Sequence, residues 1–575
     1  MLAALFRSKS VDQILAAPEE GGHALRRSLG AWDVTLLGVG AIIGAGIFST
    51  IGTATAGDSA RPGAGPSLML SFVITAVACG LTALCYAEFA STVPISGSAY
   101  TYAYATFGEL IAWIIGWDLI IEYAVGNVAV AISWAGYFNT LLGSVGVHLP
   151  EWLTTDFRSG AGVATIRDAA PHIYGVPIIF NALAAAIVLA ITGVLVIGVR
   201  ESASFNAVMV IFKILILLFF VAAACSIVSP AKMAENWQPF QPNGWKGTLS
   251  AAAVIFFAYI GFDAVSTVAE ETRRPARDMP IGIFASLGIC TVLYILVAAV
   301  FTGLIPYEEL IKRMGNEQAE PLTMALDHVA PQLTWVRTLV ALGSVVAMTA
   351  VLLVFQLGQP RIFFSMARDG MLPPLFARVH ARFRTPHVTT LITGVLVAAF
   401  AAFARIDEMV DLTNIGTLFA FVLVCLGIPI LRLRDPDRVR PFRVPLGAWL
   451  IPLLGAASCV GLIVYLPPAS WWRFAAWLMI GLGVYAGYGF TRSRLNAARD
   501  KMLPPVLLVS AMAFLAAAWG MLTLPHDAMP LVLLERLATD WRSAGAAPWL
   551  ALGGTVIGLL LFFIGGRGVR RDLRP

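Results

Sequence analysis

The chain has 575 residues, of which 58% are hydrophobic and 13% charged, and its formal net charge is +5. A soluble protein carries about 25% charged residues, so this chain has too few charges to cover soluble globules of its total length. A soluble enzyme, a nucleic-acid binder, a disulfide-stapled secreted scaffold and a disordered chain are all poor fits, and a polytopic membrane protein is expected.

A helix needs about 20 apolar residues to cross the hydrocarbon layer. In chain order, fourteen stretches qualify as spans 1 to 14: 33–56, 67–92, 110–142, 176–197, 204–228, 249–270, 282–305, 335–359, 387–404, 412–431, 447–466, 471–490, 503–523 and 547–566. None shows the alternation of a membrane β-barrel. With an even number of spans both termini share a side. The amino-terminal segment, the connections at 198–203, 271–281, 360–386, 432–446 and 491–502, and the carboxyl end then hold two thirds of the 39 Lys and Arg residues. The positive-inside rule places that side in the cytoplasm. The longest connections, 143–175 and 306–334, face outward. They leave no room for a soluble catalytic domain, and no P-loop marks an ATP-driven pump. The Cys residues (Cys79, Cys85, Cys225, Cys290, Cys425, Cys459) lie in apolar runs and form no C-x-x-C pair. They read as small buried hydrophobes rather than disulfide or zinc partners, and the histidines form no ligand pairs.

Span 1 carries glycines at 38, 40, 44 and 46. Each weakens a helix by roughly 1 kcal/mol relative to alanine. Close helix packing through the small-xxx-small pair Gly40 and Gly44 accounts for two of them. It does not account for Gly44-Ala45-Gly46, and the spacing does not fit a dinucleotide fingerprint. A discontinuous helix does fit, with an unwound turn whose free N–H groups attract an anion such as a carboxylate. Span 6 reads Phe256-Phe257-Ala258-Tyr259-Ile260-Gly261-Phe262-Asp263, a glycine followed by an acid. In a protein of two inverted five-helix halves, spans 1 and 6 correspond, and paired interruptions mark a transporter's central site. Freed carbonyls of Phe257, Ala258 and Ile260 would accept from an ammonium group. Donors on one side and acceptors on the other suit a zwitterion, hence an amino acid.

Ionisable residues inside spans are costly, roughly 2.5–3.5 kcal/mol each near the centre. Here they are Glu88, Asp118, Glu122, Lys213, Asp263 and Glu270, with Asp33, Glu109 and Glu271 at span edges. Asp118 and Glu122 share a helix face at i, i+4. Lys213 is the one basic residue deep within a span, roughly 13 Å from its start at 1.5 Å per residue. Snorkelling to the interface strains a lysine's reach from there. Burial disfavours the charged form, which suits a proton carrier. For the carboxylates, of which Glu122 and Asp263 are the stronger proton-coupling candidates, the alternative is an interhelical hydrogen bond or a helix cap.

Four stretches carry a resemblance: LRRSLGAWDVTLLGVGAIIGAGIF at 25–48, CYAEFASTVPISGSAYTYAYATFGELIAWIIGWDLIIEYAVG at 85–126, FFAYIGFDAVSTVAEETRRPARDMPIGI at 256–283 and GQPRIFFSMARDGMLP at 358–373. Together they resemble the amino acid–polyamine–organocation superfamily, and within it bacterial relatives of the cationic amino acid transporters. The resemblance covers about 25–490. It implies an all-α, LeuT-like fold with spans 1–5 and 6–10 as inverted repeats and helices 1 and 6 discontinuous. It divides the chain into a cytoplasmic segment 1–31, a ten-helix transport core 32–431, helices 11–12 at 432–490, and helices 13–14 with a basic tail at 491–575.

The resemblance further implies that the substrate carboxylate meets the backbone of Gly44, Ala45 and Gly46. The α-amino group would meet carbonyls of Ile42, Phe257, Ala258 and Ile260, with Ile43, Phe257 and Met348 shaping the side-chain pocket. Lys213 would replace a sodium ion between helices 1 and 8, making H⁺ the coupling ion, and no metal or organic cofactor is implied. That apolar pocket favours neutral amino acids at least as much as cationic ones. The expected function is secondary active import of α-amino acids by H⁺ symport through alternating access. An exchanger of the same fold and an amino-acid-binding transceptor are the alternatives, and a membrane enzyme is not expected. The partners are amino acid, protons and lipid, with no nucleic acid. The Ala- and Arg-rich composition leans toward a bacterial inner membrane.

Overall fold

The computed structural model describes residues 7–9, 11–12, 27–58, 61–94, 98–173, 175–198, 203–314, 320–380, 382–383 and 385–495. Spans 13 and 14 and most of the segment before span 1 lie outside the described residues. Among the described residues nine helices are long and apolar enough to cross a membrane: Ala31–Ala56, Gly65–Thr92, Glu109–Ser144, Asn206–Ile227, Gly244–Glu271, Pro275–Leu304, Thr334–Arg368, Ile406–Arg434 and Pro468–Arg492. They carry spans 1, 2, 3, 5, 6, 7, 8, 10 and 12. Three shorter apolar helices, Ala182–Ile197, His387–Phe403 and Leu450–Val464, stand where spans 4, 9 and 11 are expected.

Two boundaries differ from expectation. Span 8 runs on through Pro360 to Arg368, so the first third of the expected 360–386 connection is helical. A proline inside a membrane helix is tolerated because neighbouring helices satisfy the backbone group it frees. Between spans 2 and 3 a buried helix, Ser98–Thr106, occupies what reads as a connection. Its Tyr102 ring stacks on Phe89 of span 2 with centroids 4.7 Å apart.

Span 3 is the axis of the molecule. Its 36 residues extend about 54 Å at 1.5 Å per residue. It packs along span 8, where Trp134 Nε1 donates to Thr349 Oγ1 at 2.9 Å and Tyr123 meets Phe355 edge-on. Span 12 is fastened to its other side, with Trp113 Nε1 donating to the Gly481 carbonyl and Trp117 stacked on Trp477. Five of the cysteines are buried as expected, whereas Cys225 is exposed on span 5. No cysteine among the described residues is bonded to another.

Both expected interruptions are present. Span 1 is helical over Ala31–Ile42, leaves the helix at Ile43 (φ −74°, ψ 99°), and resumes over Gly46–Thr50 and Ile51–Ala56. Span 6 is α-helical over Gly244–Ile255, tightens over Phe256–Tyr259, breaks at Ile260, and continues over Ala264–Glu271. The two breaks touch. A Cβ on Gly46 would lie 2.2 Å from the Ala258 Cα. Gly261 has φ +120°, and a Cβ there would lie 2.8 Å from the Ala41 carbonyl. Only glycine combines that backbone conformation with so close an approach.

Candidate functional site

Leaving the helix at Ile43 frees carbonyls that must find donors, because a buried unpaired carbonyl costs about 1–3 kcal/mol. Lys213, 1% exposed on span 5, donates its Nζ to the Gly40 carbonyl at 2.7 Å and the Ile43 carbonyl at 3.2 Å. Tyr294 of span 7 donates its hydroxyl to the Ile42 carbonyl at 2.8 Å. Ile42, expected to face an α-amino group, therefore already holds one donor here, and a carbonyl's second lone pair stays available.

Beyond the break the backbone offers donors. The N–H groups of Gly44 and Ala45 have no backbone acceptor among the described residues, while the Gly44 carbonyl accepts from Ile47 and Phe48. Gly46 begins the second half of span 1. These N–H groups stand at a helix start, where an anion is favoured. Opposite them, Asn414 of span 10 donates to the Ala253 and Val254 carbonyls at 2.8 and 3.0 Å, closing the end of the first half of span 6. The carbonyls of Phe257, Ala258 and Ile260 accept from no group outside their own turn among the described residues. Ile43, Ala45, Phe257, Ala258, Ile260 and Met348 are all buried. Val351, one turn beyond Met348 on span 8, lies 3.1 Å from where a Gly44 Cβ would be. The expected substrate residues thus converge on one closed locus between spans 1, 6 and 8.

The expected proton-coupling residues fall into two groups. Lys213, on span 5, is bonded to the break in span 1. Asp118, Glu122 and Asp263 lie between spans 3, 6 and 10, where Asp263 and Asp118 are the charged neighbours of Glu122. All three are buried, and one oxygen of each lacks a hydrogen-bond partner among the described residues. The Tyr86 hydroxyl and Thr417 Oγ1 are unpartnered as well. Asp263 Oδ1 accepts from the Gly261 N–H at 3.2 Å, and Asp118 Oδ1 lies 2.6 Å from where a Gly416 Cβ would be. Glu88 belongs elsewhere. It accepts from Arg432 at 2.9 and 2.5 Å and from the Val444 N–H at 2.7 Å, a structural pairing.

Both ends of the bundle hold ion pairs not anticipated from sequence. After span 1, the hairpin pairing Gly57–Asp58 with Arg61–Pro62 points Arg61 to Asp58 at 2.9 Å and to Asp411 of span 10 at 2.6 Å. At the end that bears the amino terminus, Lys9 pairs with Asp369 at 2.7 Å, and the Tyr100 hydroxyl donates to the same carboxylate. Tyr294, Asn414, Ser49 and Ser133 were also missed. Each is an ordinary polar residue in an apolar run, and its partner lies far away in sequence.

Among the described residues a dozen apolar helices, two of them broken against each other around a buried backbone-lined locus, define a multi-pass helical membrane protein. Residues 29–485 match the amino acid permease family. The chain is 45% identical to a branched-chain amino acid permease of Bacillus subtilis, over 86% of this chain and the whole of that one. It is 40% identical to a methylthioribose transporter of the same organism, again over 86% of this chain and all of the relative. It is 36% identical to the vacuolar cationic amino acid transporter 4 of Arabidopsis thaliana, over 76% of this chain and 68% of that one. The chain belongs to the amino acid permease family, within the amino acid–polyamine–organocation superfamily.

Proposed function

We propose that the protein is a secondary active transporter that imports neutral α-amino acids by H⁺ symport. The observation that carries this reading is the Lys213 ammonium seated on the Gly40 and Ile43 carbonyls of the interrupted span 1. A charge-assisted hydrogen bond is roughly twice as strong as a neutral one. Protonated Lys213 therefore steadies the break, and loss of its proton loosens it. The substrate carboxylate takes the N–H groups of Gly44, Ala45 and Gly46, and its ammonium takes carbonyls of Phe257, Ala258 and Ile260 with the free lone pair of Ile42. Ile43, Phe257 and Met348 enclose an aliphatic side chain. The 45% identity to a branched-chain permease supports a neutral substrate of that class. Glu122 and Asp263 pass the proton onward.

The reading includes a LeuT-like arrangement of two inverted five-helix repeats within 32–431, fourteen spans in all, and cytoplasmic termini in a bacterial inner membrane. The order of events is outward closure on bound substrate and protonated Lys213, then deprotonation toward the cytoplasm and inward opening.

The test is uptake into proteoliposomes of radiolabelled leucine, alanine, arginine and methylthioribose, with and without an inward-directed pH gradient. Accumulation of neutral amino acids that requires the gradient is expected. Uptake only into preloaded vesicles, indifferent to pH, would replace symport with exchange. Accumulation of arginine or methylthioribose alone would overturn the assignment of the side-chain pocket.

A further inference from the structure

Met348 is held in place by a short chain of hydroxyls. Ser133 of span 3 donates to the Met348 Sδ at 2.9 Å, and Ser133 is in hydrogen-bond contact with Ser49 of span 1. A thioether sulfur accepts and cannot donate. The single Ser133 proton is therefore directed at Met348, and Ser49 stands behind it in contact with the Ser133 oxygen. The three residues are 0%, 0% and 3% exposed for Met348, Ser133 and Ser49. Their register is fixed on both sides. Trp134 donates to Thr349 in the adjacent positions of spans 3 and 8, and Tyr137, one turn on from Ser133, donates to the Phe48 carbonyl at 2.5 Å. Met348 and Val351 share one face of span 8, and Val351 lies against Gly44.

A methionine left to itself is the most adaptable of core side chains, with three rotatable bonds that let it refit around different neighbours. A wall built from it discriminates size only when something fixes its rotamer. We propose that Ser133, with Ser49 behind it, is a specificity-setting positioning residue: by pinning the Met348 thioether toward span 3 it fixes the depth of the side-chain pocket and limits the substrate to aliphatic amino acids. The inference rests on the reading of Met348 as a wall of an amino acid site. Releasing the sulfur lets Met348 move with the occupant, so the limit on size relaxes while the backbone contacts to the carboxylate and ammonium remain. The expected change is that of one net hydrogen bond, roughly 3–10-fold.

The experiment measures competition of alanine, leucine and phenylalanine for leucine binding to purified full-length protein, in the native sequence and in Ser133→Ala, Met348→Leu and the double variant. Ser133→Ala is expected to narrow the leucine-to-phenylalanine preference by roughly 3–10-fold, with alanine affinity unchanged. Met348→Leu, which keeps the volume and removes the acceptor, should make the second substitution silent, so that Ser133→Ala changes nothing in that background. Ser49→Ala reports on the same chain if Ser133→Ala does not fold, and should narrow the preference in the same direction. An unchanged preference in the serine variants, or equal effects of Ser133→Ala with and without Met348, would overturn the proposal. Failure of the native protein to bind any of the three amino acids would overturn the functional reading itself, a distinct result.

Discussion

The break in span 1 and the acidic seam between spans 3, 6 and 10 are both polar regions buried in an apolar bundle, and they are built in opposite ways. At the break, the carbonyls of Gly40, Ile42 and Ile43 each accept from a side-chain donor, Lys213 or Tyr294. In the seam, one oxygen each of Asp118, Glu122 and Asp263 and the hydroxyls of Tyr86 and Thr417 have none among the described residues. Side-chain donors fastened to those three carbonyls hold the break in one geometry. Unfilled acceptors and donors are places for water and shared protons, since each otherwise costs about 1–3 kcal/mol. The first region is suited to holding the helix break in shape, and the second to passing a proton.

Replacing groups in the two regions sharpens this contrast. The largest effect is expected for Lys213→Ala, which strips donors from two carbonyls and leaves a void. Thermal unfolding of the detergent-solubilised protein should show a loss of roughly 2–5 kcal/mol. Full stability in that variant would mean the break does not depend on the lysine.

Next comes a pair of chemically identical changes. Asp411→Asn removes a carboxylate that Arg61 contacts at 2.6 Å. It should destabilise by about 3 kcal/mol, the low end for breaking a buried ion pair, because Asp58 remains. Asp118→Asn removes a buried carboxylate that has no cation partner among the described residues, and should leave stability unchanged or raised. Equal losses at the two positions, by the same unfolding assay, would erase the distinction between paired and unpaired acids.

Tyr294→Phe removes a single hydroxyl from the Ile42 carbonyl and should cost about 1 kcal/mol. Because Ile42 adjoins the site, apparent substrate affinity should weaken several-fold with it. A stability loss with unaltered affinity would separate Tyr294 from the site.

A pH-dependent effect concerns an acid outside the spans. Burial pushes Glu320, just ahead of the Pro321–Val329 helix, up to about 7 from 4.5. Its folded form thus keeps a proton that the unfolded chain releases first. The stability it contributes is complete below about 4.5 and is lost as pH rises toward 7. Glu320→Gln should flatten the melting temperature across that window, and an unaltered pH slope would count against it.

The sequence made the helix breaks and the lysine legible because both violate what lipid permits. Gly44-Ala45-Gly46 weakens any helix that runs through it, and a lone cation at that depth of span 5 has no ordinary explanation. Both are local signals. The partners were not legible because they are distant. Tyr294 reaches Ile42 across 252 positions, and Asn414 reaches Ala253 across 161. Ser133 and Ser49 look like small helix-packing residues until spans 1, 3 and 8 are brought together. The end of span 8 was misread because Pro360 and Arg361 look like a stop, whereas the helix continues beyond the apolar stretch to Arg368. The buried helix Ser98–Thr106 was missed because at nine residues it is too short to register as a span.

The most direct test of the central claim compares gradient-driven uptake with exchange in Lys213→Ala proteoliposomes. The account predicts that this variant still exchanges labelled for unlabelled leucine across preloaded vesicles but no longer accumulates leucine when the outside is made acidic. Accumulation matching that of the native protein under the same gradient would contradict it, and would leave Lys213 as a structural prop of span 1 rather than the carrier of the coupling proton.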